Sequence, residues 1–313
     1  MQQVIILHNH IPQNAPEDVL DILRQAQWIE EILRQKGYSV TLLPYSLSAL
    51  EQLDKNVVVF NLVDSAPGEE MLSYLVPGIL ESLKLKYTGC SLANLFLTTN
   101  KVLAKKLMAE HHLPTPAPYS KESEKGLYLI KPTAQDASVG LDEHCLVEHA
   151  EVQTMLKEKE AQIGCPCFAE QYIDGREFTV CMYGTRKDVH ILPPYEWVFN
   201  EYGNRAKIIT YDAKWTEQTF GYEHISAKYT HDEADKPLIV QLEHLAKDCW
   251  KAFDLNGYAR VDFRIDAGNR PFILELNANP SFYGFYHLAQ EWNFSFEDLI
   301  VSLVNQAAIL AQS

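Results

Sequence analysis

The stretch VDFRIDAGNRPFILELNAN, residues 261–279, sets Asp262, Glu275 and Asn277 among apolar neighbours, with Arg260 immediately before it. Two runs of strand-forming residues flank Gly268-Asn269, a pair suited to a two-residue hairpin turn. Closing the hairpin there puts Ala267 opposite Arg270 and Asp266 opposite Pro271, and so Asp262 opposite Glu275 and Arg260 opposite Asn277. Side chains alternate across a strand, so Val261, Phe263, Ile265, Phe272, Leu274 and Leu276 are expected together on a core-facing side. The other side gathers Arg260, Asp262, Arg264, Glu275 and Asn277. Like charges directly opposite each other destabilise a sheet, so something must sit between Asp262 and Glu275. Oxygens of the Asp, Glu and Asn type suit a hard divalent cation, and Mg²⁺ commonly takes a few carboxylates together with substrate phosphates. The alternative is a solvated hairpin face whose arginines and carboxylates pair with one another.

The elements that must carry such a site can be read along the chain. VIILH (4–8), SVTLL (39–43) and VVVFN (57–61) are short continuous apolar runs, as expected of parallel strands covered on both faces. Between the first two, Val19, Leu23, Ala26, Ile29 and Leu33 recur at helical spacing and Gly37 closes the helix, which makes a βαβ start. Asn61 and DSAPGEE follow the third strand at its carboxyl end, where open α/β sheets bind ligands. Asn100 reads as the N-cap of a helix over KVLAKKLMAE, and LPTPAPYSKESEKG as a linker. LYLIKP is a strand ending on Lys131, followed by the small-residue loop TAQDASVG and a helix around 149–160. Phe168 to Ile173 and Glu177 to Tyr183 are two further strands parted by Asp174-Gly175, and helices are expected at about 234–253 and 295–311. The expected domains are residues 1–100, 101–183 and 184–313.

Composition narrows the function classes. With 313 residues and 47% hydrophobic content the chain can bury a large core. A net charge of −15 leaves no basic surface to hold a polyphosphate backbone, which argues against a nucleic-acid partner but not against a small anion held by a few local cations. No apolar run approaches the ~20 residues of a membrane span, and the N-terminus leads directly into a strand without a charged leader, so a cytoplasmic protein with no membrane partner is expected. Six scattered cysteines without paired spacing are expected to be reduced thiols.

Neither G-x-x-x-x-G-K-[ST] nor G-x-G-x-x-G occurs, so no P-loop or dinucleotide fingerprint explains the cation site. What the chain offers is an order of parts: NKVLAKKLMAEHHLPTPAP, LIKPTAQDASVG, FAEQYIDGREFTV, YDAKW and ARVDFRID…FILELNANPS. In that order they resemble the ATP-grasp superfamily, and within it the D-alanine–D-alanine ligase family. The resemblance implies an α/β fold of ATP-grasp architecture, an N-terminal parallel α/β domain followed by two α+β subdomains that sandwich ATP. It implies Lys101 and Lys131 at the α- and β-phosphates, and Ser138-Val139-Gly140 in a loop whose N–H groups close over the phosphates. Glu170, Gln171, Tyr172 and Ile173 match the segment whose backbone reads adenine, and Glu177 the carboxylate for the ribose hydroxyls. Lys214 matches the lysine that reaches the γ-phosphate from a mobile lid, for which the Tyr- and Trp-rich stretch 195–229 is the candidate. Asp262, Glu275 and Asn277 match ligands of Mg²⁺, for which Mn²⁺ can substitute. Arg260 matches the arginine that steadies the transferred phosphoryl group, so that Arg260, Lys214 and Ser138 are the expected catalytic residues.

The implied activity is ATP-dependent amide formation between a small carboxylate and an amine, with amino acids the expected substrates and a homodimer the expected assembly. The chain departs from the family pattern mainly on the substrate side. Its first strand runs into HNHIPQNAPEDV, where Glu17 stands near the position of an ammonium-binding Glu; Asp136 and Ala137 replace small and hydroxylated loop residues; Trp215 replaces a tyrosine; and NPSFYGFYH replaces the acceptor-binding segment. Phe282, Tyr283, Phe285, Tyr286 and His287 suggest a larger, more aromatic acceptor pocket, or else core packing beneath the last helix. Two other functions remain open at this point: authentic D-alanine–D-alanine ligation, and a non-catalytic ATP-binding or sensor protein on the same fold.

Overall fold

The computed structural model describes residues 2–11, 15, 17–65, 71–135 and 138–310. Asp136, Ala137 and most of the segment DSAPGEE lie outside the described residues. The chain starts with β1 (Gln3–His8), α1 (Glu17–Gln35), β2 (Ser39–Pro44), α2 (Leu47–Glu51), β3 (Val58–Asn61), α3 (Leu72–Ser82) and β4 (Lys86–Tyr87). The strands form a parallel sheet in the order β2-β1-β3-β4. Its strands read as unbroken apolar runs because both faces are covered. Ile5, Leu7, Val57 and Val59 pack against Val76 and Leu80 on one side. Val4, Ile6, Val58 and Phe60 pack on the other against α1 and against residues from the far C-terminus.

Next come α4 (Leu92–Thr99), α5 (Lys101–Glu110), β5 (Leu127–Pro132), β6 (Leu146–Glu148), α6 (Val152–Ile163) and β7 (Cys167–Gln171). Asn100 caps α5 by accepting from the Leu103 N–H at 3.1 Å. β5 lies between β6 and β7 in an antiparallel three-stranded sheet. Its alternation sends Tyr128 and Ile130 into a small core with α6 and leaves Leu129 and Lys131 on the opposite face.

The remainder is β8 (Arg176–Gly184), β9 (Val189–Ile191), β10 (Tyr195–Phe199), α7 (Tyr211–Trp215), α8 (Phe220–His224), β11 (Ile225–Lys228), α9 (Lys236–Ala252), β12 (Gly257–Ile265), β13 (Pro271–Asn277), α10 (Tyr283–Glu291) and α11 (Phe296–Leu310). These six strands make one antiparallel sheet, ordered β11-β10-β8-β12-β13 with β9 on β8. One face buries Phe178, Val180, Val261, Phe263 and Leu276 against α9 and α5. At Gly175, which joins β7 of one sheet to β8 of the other, φ is +156° and an added Cβ would meet the Ile265 carbonyl oxygen at 1.8 Å, so only glycine fits. α10 and α11 return to the first sheet, where Phe282, Phe285, Leu299 and Leu303 join its core.

The β12/β13 hairpin corrects one sequence expectation. Arg260 faces Asn277 and Asp262 faces Glu275 as read, but the pairing shifts by one residue after Asp262, so that Phe263 faces Ile273 and Ile265 faces Pro271. The turn is not the two-residue Gly268-Asn269 loop. The Asp266 carboxylate accepts from the N–H groups of Gly268 and Arg270, each at 2.9 Å, and draws the chain into a longer loop. The compensating β-bulge puts Ile273, not Phe272 and Leu274, into the core beside Phe263. Leu274 therefore faces the same side as Glu275.

Candidate active site

Alternation along β8, β12 and β13 leaves one face of the large sheet polar. Register places Arg264 beside Glu177, Asp262 beside Thr179, and Glu275 and Asn277 across from Asp262 and Arg260. Each charge is met by a neighbour: Arg264 lies 3.0 Å from Glu177 and Arg260 3.0 Å from Asp262. The Thr179 hydroxyl donates to Asp262 Oδ1 at 2.7 Å, and the Trp197 indole N–H donates to Thr179 at 3.1 Å. Arg264 also donates to the Gly175 and Lys207 carbonyls and sits over the rings of Tyr172 and Phe199.

The facing wall comes from α5, β5 and the loop after β5. Lys101 lies 3.1 Å from Glu275 and donates to the Gln135 carbonyl at 2.6 Å. Lys131 lies 2.7 Å from Glu170. Ser138, at φ +63°, donates its hydroxyl proton to the Ile209 carbonyl at 2.9 Å. Lys214 comes from α7, whose cap Thr210 accepts from the Ala213 N–H at 3.2 Å.

Between these walls is a cleft with about 920 Å³ of open space. Lys101, Lys131, Lys214, Arg260 and Arg264 border it against Glu177, Asp262 and Glu275, so that among the described residues five cations meet three carboxylates in a chain whose net charge is −15. Leu129, Ile208, Ile209 and Leu274 add apolar lining. Such a cleft attracts a polyanion with an apolar end, because charges facing each other across low-dielectric walls interact far more strongly than in water.

The ionisation states fit that reading. Burial alone pushes the Glu275 carboxyl up, but Lys101, Arg260 and Lys131 overcome this and hold it well below the usual range. Burial, reinforced by Arg260, lowers the Lys214 ammonium, while Asp262, Glu275 and Glu177 oppose that. Burial raises Glu177 despite Arg264. Asp262 and Glu275 are cross-strand neighbours with the Asn277 amide beside them. Among the described residues no group of three His, Cys, Asp or Glu side chains could hold a metal. An ion shared by these two carboxylates would complete its shell with the Asn277 oxygen and with ligand or water oxygens, a donor set that fits Mg²⁺.

Of the residues singled out from sequence, Lys101, Lys131, Ser138, Glu177, Lys214, Arg260, Asp262, Glu275 and Asn277 all border this one cleft. Glu170, Gln171, Tyr172 and Ile173 do not. The Glu170 side chain is buried behind the wall between Lys131 and Lys105. The Gln171 and Tyr172 N–H groups go to the Ala117 and Leu127 carbonyls. The cleft is also bordered by Leu274, which the sequence pattern placed on the core side, by Trp197, which it placed only within the lid stretch 195–229, and by Arg264, which it put on the polar face by alternation without a role. On the substrate side, Glu17 is exposed and paired with Arg24 at 2.6 Å. Phe282 and Phe285 are core residues, whereas Tyr286 stacks on Trp28 with centroids 4.7 Å apart and Tyr283 lies outermost. None of the aromatic run borders the cleft.

Comparison with known proteins places the chain in a family. The family model for the D-ala D-ala ligase C-terminus matches residues 115–305. The uncharacterized protein y4sG of Sinorhizobium fredii is 31% identical over 230 residues, which cover 71% of this chain and 65% of that protein. The D-alanine–D-alanine ligase of Bordetella petrii is 30% identical over 257 residues, covering 75% of this chain and 72% of the ligase. The crystal structure of D-alanine–D-alanine ligase from Bacillus anthracis complexed with ATP superimposes with a TM-score of 0.72 at 16% identity, covering 100% of this chain and 99% of that one, and so shares the fold. With its matching family segment and its two facing sheets, the chain belongs to the D-alanine–D-alanine ligase-like family of ATP-grasp enzymes, which are ATP-dependent carbon–nitrogen ligases.

Proposed function

We propose that this chain joins a small carboxylate, an amino acid, to an amine at the expense of ATP and with Mg²⁺ as the divalent ion. The observation that carries the reading is the convergence of Lys101, Lys131, Lys214 and Arg260 on the same open volume as the paired carboxylates Asp262 and Glu275. In this reading Leu129, Ile208 and Leu274 receive the base, Glu177 the ribose hydroxyls, and the lysines the phosphates. Asp262, Glu275 and Asn277 hold the ion, which when bound neutralises phosphate charge and polarises the terminal phosphoryl group.

A carboxylate resists attack by an amine because its carbonyl carbon is electron-rich. Its oxygen therefore first attacks the γ-phosphorus, the bond to the β-phosphate oxygen breaks, and ADP leaves. The amine nitrogen then attacks the acyl carbon, inorganic phosphate departs, and a proton is lost from nitrogen. Arg260 and Lys214 stand where negative charge builds during the first step, and electrostatic positioning of this kind supplies most of the catalysis in phosphoryl transfer. The segment carrying α7 and α8 closes over the cleft and keeps the acylphosphate from water. Six unpaired thiols and the need for ATP fit a cytoplasmic enzyme, and a homodimer is the assembly we expect.

A coupled assay of ADP release across amino acids and amines tests the proposal. Turnover with one pair supports it, and no ADP release with any pair overturns it. Turnover on D-alanine alone identifies the substrate as that of the Bordetella petrii relative.

A further inference from the structure

Lys105 lies one helical turn after Lys101 on α5 but does not border the cleft. Its side chain is 12% exposed, and its Nζ lies 2.6 Å from Oε2 of Glu170. The other oxygen of that carboxylate, which is only 1% exposed, lies 2.7 Å from Nζ of Lys131. One buried carboxylate is thus shared by two ammonium groups, of which only Lys131 reaches the open volume. Lys105 also donates to the Thr115 hydroxyl at 2.8 Å and to the Leu274 carbonyl at 3.1 Å. Leu274 belongs to the bulged part of β13, so the same ammonium ties the back of one wall to the edge strand of the other.

A lysine paired one-to-one with a buried carboxylate presents little net field to a ligand, because the two opposite charges nearly cancel at the ligand's distance. Two ammonium groups on one carboxylate leave a net positive charge, and here it is displayed through Lys131. We infer that Lys105 is a positioning residue that neutralises Glu170, so that Lys131 keeps its charge for an anionic ligand while the bulge of β13 is held in place. The inference rests on the nucleotide reading above, with the triphosphate of ATP as the anion. Without Lys105, Glu170 turns wholly to Lys131 and the group becomes neutral. Removing both buried charges, by Lys105→Met together with Glu170→Gln, leaves Lys131 again as the one net cation.

The test is titration calorimetry of a non-hydrolysable ATP analogue with Mg²⁺ on wild type, Lys105→Met, and Lys105→Met/Glu170→Gln, with KM and kcat measured for ATP itself and thermal melts in parallel. Lys105→Met is expected to weaken binding about tenfold, chiefly through KM rather than kcat, and the second substitution to restore it to within about threefold of wild type. A strut with no electrostatic role gives the reverse order, since the double variant has lost more contacts than the single. Wild-type affinity in Lys105→Met, or a double variant that binds no better than the single, overturns the inference. Should Lys105→Met fail to fold, the double variant decides alone: affinity within about threefold of wild type supports the inference, and a loss of about tenfold or more overturns it. Failure of the wild type to bind the analogue is a separate outcome that overturns the nucleotide reading itself.

Discussion

Glu275→Gln separates a catalytic cleft from a merely charged surface. The side chain is 25% exposed, pairs with Lys101 at 3.1 Å, and faces Asp262 across β12 and β13. Breaking a fully buried pair costs about 3–5 kcal/mol, but this one opens on the cleft and the glutamine fills the same volume, so a cost nearer ~1–2 kcal/mol is expected. For a chain of this length that corresponds to a fall in melting temperature of no more than about 4 °C. The loss in turnover is set by different physics. If, as proposed, the two carboxylates hold the ion at the transferring phosphoryl group, removing one is comparable to removing one preorganised transition-state contact, about 10²–10³ in kcat. The assay is ADP release at saturating ATP and Mg²⁺, with a thermal melt on the same preparation. Turnover within about threefold of wild type would refute the reasoning about the ion. A variant that unfolds would show that the hairpin's polar face is structural.

Lys131→Ala should weaken ATP binding in calorimetry about tenfold or more, and unchanged affinity would contradict the placement of Lys131 at the phosphates. In the proposed role at the γ-phosphate Lys214 must be charged, and burial lowers its folded-state value from 10.5, so activity should fall as pH rises before an ordinary lysine would lose its proton. Lys214→Arg should move that alkaline limb upward, as read from a pH–rate profile. Glu275 titrates in the other direction. Its folded value is held down to about 2 from 4.5, so its contribution to stability is complete above its unfolded value and disappears as pH falls towards the folded one. The difference in unfolding free energy between wild type and Glu275→Gln should therefore shrink between neutral pH and about pH 3, which denaturant titrations can measure.

Much of this arrangement is written in short-range patterns. The strands of the first sheet are legible because both their faces are buried. The polar face of β12 is legible because alternation is set by the backbone and needs no tertiary knowledge. The hairpin turn is not, because it depends on whether the Asp266 side chain captures two backbone N–H groups, and that local competition moves Phe272, Ile273 and Leu274 by one position. Nothing in the sequence marks Lys105, since a lysine four residues after another gives no sign that a buried glutamate from β7 lies between α5 and β5. The aromatic run 282–287 divides by helical geometry. Phe282, Phe285 and Leu288 recur on one face and enter the core, while Tyr283 and Tyr286 lie on the face that meets Trp28.

A crystal structure with Mg²⁺ and a non-hydrolysable ATP analogue is the most direct measurement. It is predicted to show an ion about 2.0–2.1 Å from oxygens of both Asp262 and Glu275 and from the nucleotide phosphates, with Lys131 on the opposite side of those phosphates. A nucleotide bound elsewhere, or an ion coordinated without either carboxylate, would contradict it.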